Sequence, residues 1–219
     1  KNTDLVPLCK DIISEFDYFV KKKNVNLKFS SDSLMRYVNC DPHMMEKVVY
    51  NLLSNAFKYT ENTPEITLDM KKVKLSDDSY KGIFYVGNRF YGLALQISVS
   101  DNGDGIESDK FEAIFERFNT YHNENQDGSG IGLHLCKEYV ALHDGNIMLH
   151  SEKEHGSTFI VCLPLITDED EQESSSPILI SQKQTDMNNI VSGNDDSSAE
   201  TYSNAKTVLI IEDNDEVIF

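Results

Sequence analysis

The segment that most constrains the fold is an amphipathic helix predicted over residues 41–59. Asp41 is a favourable N-cap, Pro42 suits the first helical position, and apolar residues recur at positions 45, 48, 49, 52, 53, 56 and 57. On a helical wheel, three polar side chains share one narrow stripe more than a third of a turn from the apolar centre: Asn51, Asn55 and Lys58. One face must therefore be buried, while the other presents two carboxamides and an ammonium group together.

Other helices and strands alternate with this one as far as residue 165. Helical spacing is found at 4–23, 107–116 and 131–143. Strand-like patterns are found near 25–30, 36–40 and 82–90, and at 65–75, 92–101, 146–152 and 157–164. This order predicts an α+β fold, a two-layer α/β sandwich in which a mixed sheet is covered on one face by helices.

The charge is concentrated in the C-terminal part of the chain. Residues 166–219 hold 13 acidic and 2 basic side chains, and so carry −11 of the net charge of −17. Their polar composition predicts a linker over 166–205. Such an acidic chain is poorly suited to nucleic acid or to an anionic membrane, so we expect neither as a partner. Four scattered cysteines favour buried thiols in a reducing cytoplasm.

Three further motifs carry chemistry. Residues 101–105, Asp-Asn-Gly-Asp-Gly, place a carboxylate at a strand end before glycines, which suits a flat polar ligand such as adenine but is also ordinary turn sequence. Residues 128–133, Gly-Ser-Gly-Ile-Gly-Leu, open a helix whose free N–H groups suit phosphate, although a plain flexible loop is the alternative. Residues 115–118, Phe-Glu-Arg-Phe, offer Arg117 to a phosphate, although plain core packing of the two aromatic rings is the alternative.

In this order and spacing the motifs resemble those of the GHKL ATPase superfamily, and within it the catalytic domain of sensor histidine kinases. Residues 51–60 resemble its N box, 101–105 its first glycine box, 115–118 its F box, 128–133 its second glycine box, and 156–159 its closing glycine motif. The resemblance covers residues 1–165. It implies the Bergerat form of the sandwich, with ATP and Mg²⁺ as ligands.

The resemblance also assigns roles to individual residues. Asp101 would bind the adenine amino group, Asn55 would ligate Mg²⁺, and Tyr59 would lie near the purine. The expected catalytic residues facing the phosphates are Asn51, Lys58 and Arg117. Residues 116–130 would form a lid. The remaining expected nucleotide contacts are Gly103, Gly105, Gly128, Gly130, Gly132, Leu133 and Thr158.

The implied reaction is transfer of the γ-phosphoryl group of ATP to a histidine. None of the six histidines resembles the family's phosphoacceptor box, so we expect the acceptor on a separate dimerisation domain. Residues 206–219 resemble the first strand of a response-regulator receiver, with the adjacent acids Glu212 and Asp213 at its end. The chain is therefore expected to be the cytosolic part of a membrane-anchored bacterial hybrid kinase.

Three alternatives remain on sequence grounds. GHKL hydrolases use a glutamate one turn before the metal-binding asparagine, whereas this chain has Asn51 there, and an amide is a very poor base. A serine kinase that restrains a sigma factor would lack the receiver that residues 206–219 indicate. A non-catalytic nucleotide-sensing module would use the same residues for binding alone.

Overall fold

The structure is a computed structural model that describes residues 1–32, 37–60, 64–118 and 130–165. The expected linker over 166–205, the receiver strand over 206–219 and most of the expected lid lie outside the described residues.

In the described residues, a six-stranded mixed sheet organises the fold. Its strands are β2 (Asn26–Ser31), β4 (Glu65–Leu75), β5 (Phe84–Gly87), β6 (Gly92–Asp101), β7 (Asn146–Glu152) and β8 (Gly156–Pro164). They lie in the order β2-β4-β6-β8-β7-β5, with β2 and β4 parallel and every other pairing antiparallel. A separate ribbon pairs β1 (Asn2–Asp4) with β3 (Tyr37–Asn39), so the strand expected near 36–40 lies outside the main sheet.

Four α-helices accompany the sheet in the described residues: α1 (Leu5–Glu15), α2 (Asp17–Lys23), α3 (Pro42–Tyr59) and α4 (Gly132–Ala141). The main core joins apolar residues of α1, α3 and α4 to alternate residues of the sheet, among them Leu95, Ile97 and Val99 of β6. The predicted two-layer α+β architecture is therefore confirmed.

The helix predicted over 4–23 is divided at Phe16, where the chain leaves helical geometry for one residue. The Phe16 ring stacks on that of Phe57 in α3, with 4.8 Å between ring centres. This packing anchors the junction against the main core.

The helix predicted over 107–116 is wrong, because this segment forms only two short 3-10 turns, Ser108–Lys110 and Ala113–Phe115. Phe115 is fully buried, with its ring 6.1 Å from that of Phe84 and 6.3 Å from that of Phe159. A helix this short is marginal by itself, so the packing of one aromatic ring decides the backbone path.

A crossover over residues 76–91 connects β4, on one side of the sheet, to β5 at its edge and back to β6. It covers part of the face opposite the helices, where Leu75, Tyr80, Ala94, Met148 and Cys162 form a second, smaller core. The fully buried Asn146 donates from its amide nitrogen to the Tyr80 hydroxyl at 3.0 Å and to the Asn88 carbonyl at 2.9 Å. These bonds fasten the crossover to β7.

All four cysteines are buried as free thiols. Among the described residues, no helix has the length and the apolar character needed to cross a membrane.

Candidate functional site

Helix α3 carries the polar stripe that the sequence predicts. The Asp41 side chain caps its N-terminus, accepting from the backbone N–H of His43 at 2.8 Å. Asn51, Asn55 and Lys58 are all partly buried on the helix, and the Lys58 ammonium lies 5.0 Å from the centre of the Tyr59 ring. The stripe therefore lies at the edge of the core and stays accessible to a ligand.

The N-terminal end of the stripe meets the start of α4. A Cβ atom at Gly132 would lie only 3.1 Å from Oδ1 of Asn51, so the two helices approach closely here because residue 132 is glycine. The Cys136 thiol of α4 donates to the Val48 carbonyl of α3 at 3.8 Å, and burial raises its pKa to about 12, so that the thiol stays protonated. Helices α3 and α4 are thus held close together beside Asn51.

The first turn of α4 is open to an anion. Its N-cap is Ile131, and no side chain caps the helix. The first N–H groups of a helix have no partner within the helix and form its positive end. Just before it, the Gly130 carbonyl accepts from the Phe118 N–H at 3.0 Å, which joins the two ends of the segment 119–129. Gly128 lies outside the described residues.

The C-terminal end of the stripe meets the glycine loop that follows β6. The Asp104 N–H donates to the Tyr59 carbonyl at 3.3 Å. A Cβ atom at Gly103 would overlap that carbonyl, and one at Gly105, where φ is +65°, would overlap the carbonyl of Glu152. The two glycines therefore let the loop pass between α3 and the β7–β8 hairpin.

Asp101 is the last residue of β6 and continues the helix-facing row that includes Ile97 and Val99. Its Oδ1 accepts from the Gly103 N–H at 2.9 Å and from the Ser157 N–H at 3.3 Å. No described residue donates to its Oδ2. Burial raises the pKa of Asp101, and the two hydrogen bonds oppose that rise. The carboxylate is thus fixed by backbone donors with one oxygen left for a ligand.

Thr158 does not join this group. Its hydroxyl donates to the Ser100 hydroxyl at 3.0 Å. Ser100 and Thr158 form the cross-strand pair next to that of Asp101 and Ser157, so their side chains lie on the opposite face of the sheet. The serine beside it, Ser157, lies on the face of Asp101 as its cross-strand partner. The sequence pattern missed Ser157 because choosing between neighbouring hydroxyls requires the strand register.

The remaining predicted residues lie around the start of α4. Arg117 is exposed and forms no ion pair with another described residue. Leu133 is partly buried and packs against the main core. The F-box segment is anchored by the buried Phe115, whose carbonyl contacts Nδ1 of His134 at 3.2 Å. The structure therefore brings the described parts of the four predicted motifs together around the polar stripe of α3 and the start of α4.

A protein-family model matches the chain. The model for the family described as histidine kinase-, DNA gyrase B- and HSP90-like ATPases matches residues 40–167, which is more than half of the chain.

Similar proteins and structures agree with this match. The chain is 31% identical to the adaptive-response sensory kinase SasA of Synechocystis sp., over 74% of this chain and 38% of that protein. It is also 31% identical to the hybrid signal transduction histidine kinase D of Dictyostelium discoideum, over 73% of this chain and 10% of that protein. The chain thus spans less than two fifths of either curated relative.

A solved structure shows the same fold. It is the nucleotide-free catalytic domain of the histidine kinase ThkA, which is similar to this chain with a TM-score of 0.59 and 23% identity. The match covers 75% of this chain and 94% of that one.

The raised pKa of Asp101 predicts that its charge destabilises the folded chain without ligand. The protonated Asp101 side chain stabilises the folded chain fully below pH 3.8, the ordinary pKa that it has in the unfolded chain. This stabilisation is lost as the pH rises through the higher pKa of Asp101 in the folded chain. Asp101→Asn should therefore raise the thermal unfolding midpoint at neutral pH. The difference in unfolding midpoint between this variant and the unsubstituted chain should become smaller as the pH falls from the folded pKa of Asp101 towards 3.8.

Differential scanning calorimetry between pH 7 and pH 4 measures both effects. Asp11→Asn is the matched control, because Asp11 is exposed on α1. A lower midpoint for Asp101→Asn at pH 7 would contradict the interpretation that desolvation makes the charged Asp101 carboxylate destabilising.

Proposed function

Because this chain belongs to the family of histidine kinase-, DNA gyrase B- and HSP90-like ATPases, we propose that it is the ATP-binding catalytic domain of a sensor histidine kinase. One observation carries the proposal: two glycine segments meet the same polar face of α3. Gly132 meets it at Asn51, and Gly103 meets it at Tyr59. These positions are about 12 Å apart along the helix axis, with Asn55 and Lys58 between them.

Asp101 is the proposed adenine site. Its carboxylate is held through Oδ1, so Oδ2 can accept a hydrogen bond from the amino group of adenine. A purine with a carbonyl oxygen at the same position would present an acceptor to an acceptor, which is repulsive. This pairing selects ATP, and Gly103 and Gly105 let the backbone approach the base.

The start of α4 is the proposed triphosphate site. Its free N–H groups and positive dipole end favour an anion, and glycine at position 132 leaves room beside Asn51. The Lys58 ammonium supplies a mobile positive charge, and the exposed Arg117 guanidinium can form a bidentate contact with phosphate oxygens.

Asn55 is the proposed metal ligand. Its side chain is partly buried and hydrogen-bonds no other described residue, so a neutral carboxamide oxygen is available between the base and phosphate ends. Such an oxygen fits Mg²⁺, which takes few protein ligands and keeps waters and phosphate oxygens for the rest. The metal would neutralise charge on the phosphates during transfer.

Phosphoryl transfer to a histidine fits this site better than hydrolysis. Asn51 stands one helical turn before Asn55, where a base could activate water, but an amide does not accept a proton readily. The Oδ1 of Asn51 also lies beside Gly132 at the start of α4, where the glycine leaves room for a phosphate. The chain's part is to hold the triphosphate for in-line attack by an imidazole nitrogen supplied elsewhere.

The wider organisation is part of the same proposal. Residues 1–165 form the catalytic domain, 166–205 a linker, and 206–219 the start of a receiver. The acidic pair in Glu212-Asp213 and the similarity to a hybrid kinase support a receiver as the next partner. We place the domain on the cytosolic side of a membrane-anchored sensor.

Asp101→Asn tests the adenine site. An asparagine that keeps its oxygen on the Gly103 and Ser157 N–H groups would present an amide donor where Oδ2 now accepts. ATP binding should weaken by roughly 1.5–3 kcal/mol, about 10- to 150-fold in Kd. Inosine triphosphate, which carries oxygen in place of the amino group, should lose far less affinity or gain some.

Isothermal titration of both nucleotides measures this change in selectivity, with Asp11→Asn as the control. An unchanged ratio of ATP to inosine triphosphate affinity in a folded variant would remove Asp101 from the base site.

Asn55→Ala tests the metal ligand. The variant should lose most of the gain in ATP affinity that Mg²⁺ provides, while binding without metal should be largely retained. Titrations with Mg²⁺ and with EDTA separate the two effects, and Ser54→Ala, on the same helix turn but off the stripe, is the control. Equal losses in both conditions would exclude a role through the metal.

Phosphotransfer itself is tested with γ-labelled ATP. The chain alone should release phosphate very slowly, because no described residue at the site is placed to activate water. A histidine kinase phosphoacceptor hairpin added as a separate polypeptide at high concentration should acquire acid-labile label. Rapid phosphate release without a hairpin would instead favour a hydrolase, and binding with neither reaction would favour a nucleotide-sensing module.

A further inference from the structure

We propose that Ser151 is a positioning residue that fixes the Asp101 carboxylate and sets the polarity of its surroundings; this inference rests on the proposed adenine site. Ser151 lies on β7 directly opposite Ser157 of β8 and on the same face of the sheet as Asp101. It does not reach Asp101 directly. Its hydroxyl instead joins the chain segments that do.

Every hydrogen-bonding position of the Ser151 hydroxyl is occupied. It donates to the Gly156 carbonyl at 2.9 Å and accepts from the Ile106 N–H at 2.8 Å. The Ser157 hydroxyl lies 2.9 Å away. A serine hydroxyl has one proton and two acceptor positions, so with its proton on Gly156 it must accept from Ser157. This oxygen is the junction of the glycine loop and the β7–β8 hairpin.

Both donors to Asp101 belong to the segments that Ser151 joins. The Gly103 N–H lies in the loop that Ser151 holds at Ile106, and the Ser157 N–H lies beside Gly156 in the hairpin. Without the Ser151 hydroxyl, the Ile106 N–H and the Gly156 carbonyl lose a partner, and the loop is held to the hairpin less firmly, by remaining bonds such as that from the Glu154 N–H to the Asp104 carbonyl at 2.6 Å. The two N–H groups would then hold Oδ1 less firmly, and Oδ2 would be less well aimed.

Ser151 also determines what Ser157 offers. Because the Ser157 proton is directed to Ser151, the Ser157 oxygen presents only lone pairs beside Asp101. The carboxylate likewise only accepts while it is ionised. The group therefore favours a ligand edge that donates, such as an amino group, and disfavours one that presents a carbonyl oxygen. In Ser151→Ala, the Ser157 hydroxyl is free to turn and donate, which relaxes this preference.

The test uses Ser151→Ala in the full chain, with ATP and inosine triphosphate as probes. ATP affinity should fall about five- to tenfold, the scale of a lost buried hydrogen bond. Inosine triphosphate affinity should change little, so the ratio of the two affinities should fall by a similar factor. Ser151→Thr keeps the hydroxyl on a strand-compatible side chain and should restore the ratio.

The pH profile supplies a second readout that a purely structural role would not move. ATP affinity should fall on the acid side as Asp101 is protonated, a step that Asp101→Asn lacks. The hydrogen bonds to Oδ1 hold the pKa of Asp101 down against burial. Loosening them in Ser151→Ala should therefore move the midpoint of this loss to higher pH.

Ser100→Ala is the matched control, since it removes one hydroxyl pair, Ser100–Thr158 at 3.0 Å, from the opposite face of the same sheet. It should leave the selectivity ratio and the pH midpoint unchanged. Should Ser151→Ala fail to fold, Ser157→Ala, which removes the lone pairs beside Asp101 but keeps the other two bonds of Ser151, should lower the ratio of ATP to inosine triphosphate affinity by a smaller factor and leave the pH midpoint in place.

The outcomes separate this inference from the proposed function. Absence of ATP binding by the unsubstituted chain would overturn the proposed function. If that chain prefers ATP, and folded Ser151→Ala keeps both the ratio and the midpoint, the positioning role is wrong and the adenine site stands.

Discussion

The close approach of the glycine loop to the last turn of α3 is the contact on which the site depends. It requires residue 103 to lack a side chain, because a Cβ there would overlap the Tyr59 carbonyl. The same residue supplies an N–H to Asp101, so one position couples the helix end to the carboxylate. About two turns earlier on α3, Gly132 at the start of α4 allows a second close contact, with Asn51. Two glycines and one helix thus set the separation of the proposed base and phosphate sites.

Partial burial of the Asp101 carboxylate carries a desolvation cost, and its surroundings show how the fold limits that cost. Desolvation raises its pKa, while two backbone N–H groups favour the charged form. Both N–H groups donate to Oδ1, so Oδ2 has no donor among the described residues and can accept from a ligand. Stability of the unliganded chain is thereby exchanged for selectivity, as is common where a binding site holds polar groups ready.

Local signals explain which parts were predictable from sequence. Helix α3 needs only its N-cap, its proline and its apolar period, all of which are contained in residues 41–59. The polar stripe follows from helix geometry, so Asn51, Asn55 and Lys58 were placed correctly on one face. The segment 107–116 was misjudged because the burial of Phe115 overrides weak helical spacing. The crossover 76–91, and the choice of Ser157 over Thr158, depend on which strands pair and in which register, and no local pattern encodes that.

In the proposed reaction this chain holds the triphosphate and another segment supplies the nucleophile, because α3 has an amide, Asn51, where a hydrolase would have a carboxylate. A carboxylate one turn before Asn55 would place a base beside the phosphates, where water could be activated. Asn51 offers instead a neutral amide that lies beside Gly132 at the start of α4. Such a group can orient a phosphate without competing for a proton, so the triphosphate persists until a nucleophile is presented. Specificity for the acceptor then lies in docking and geometry, because the chemistry itself requires little more than alignment and charge.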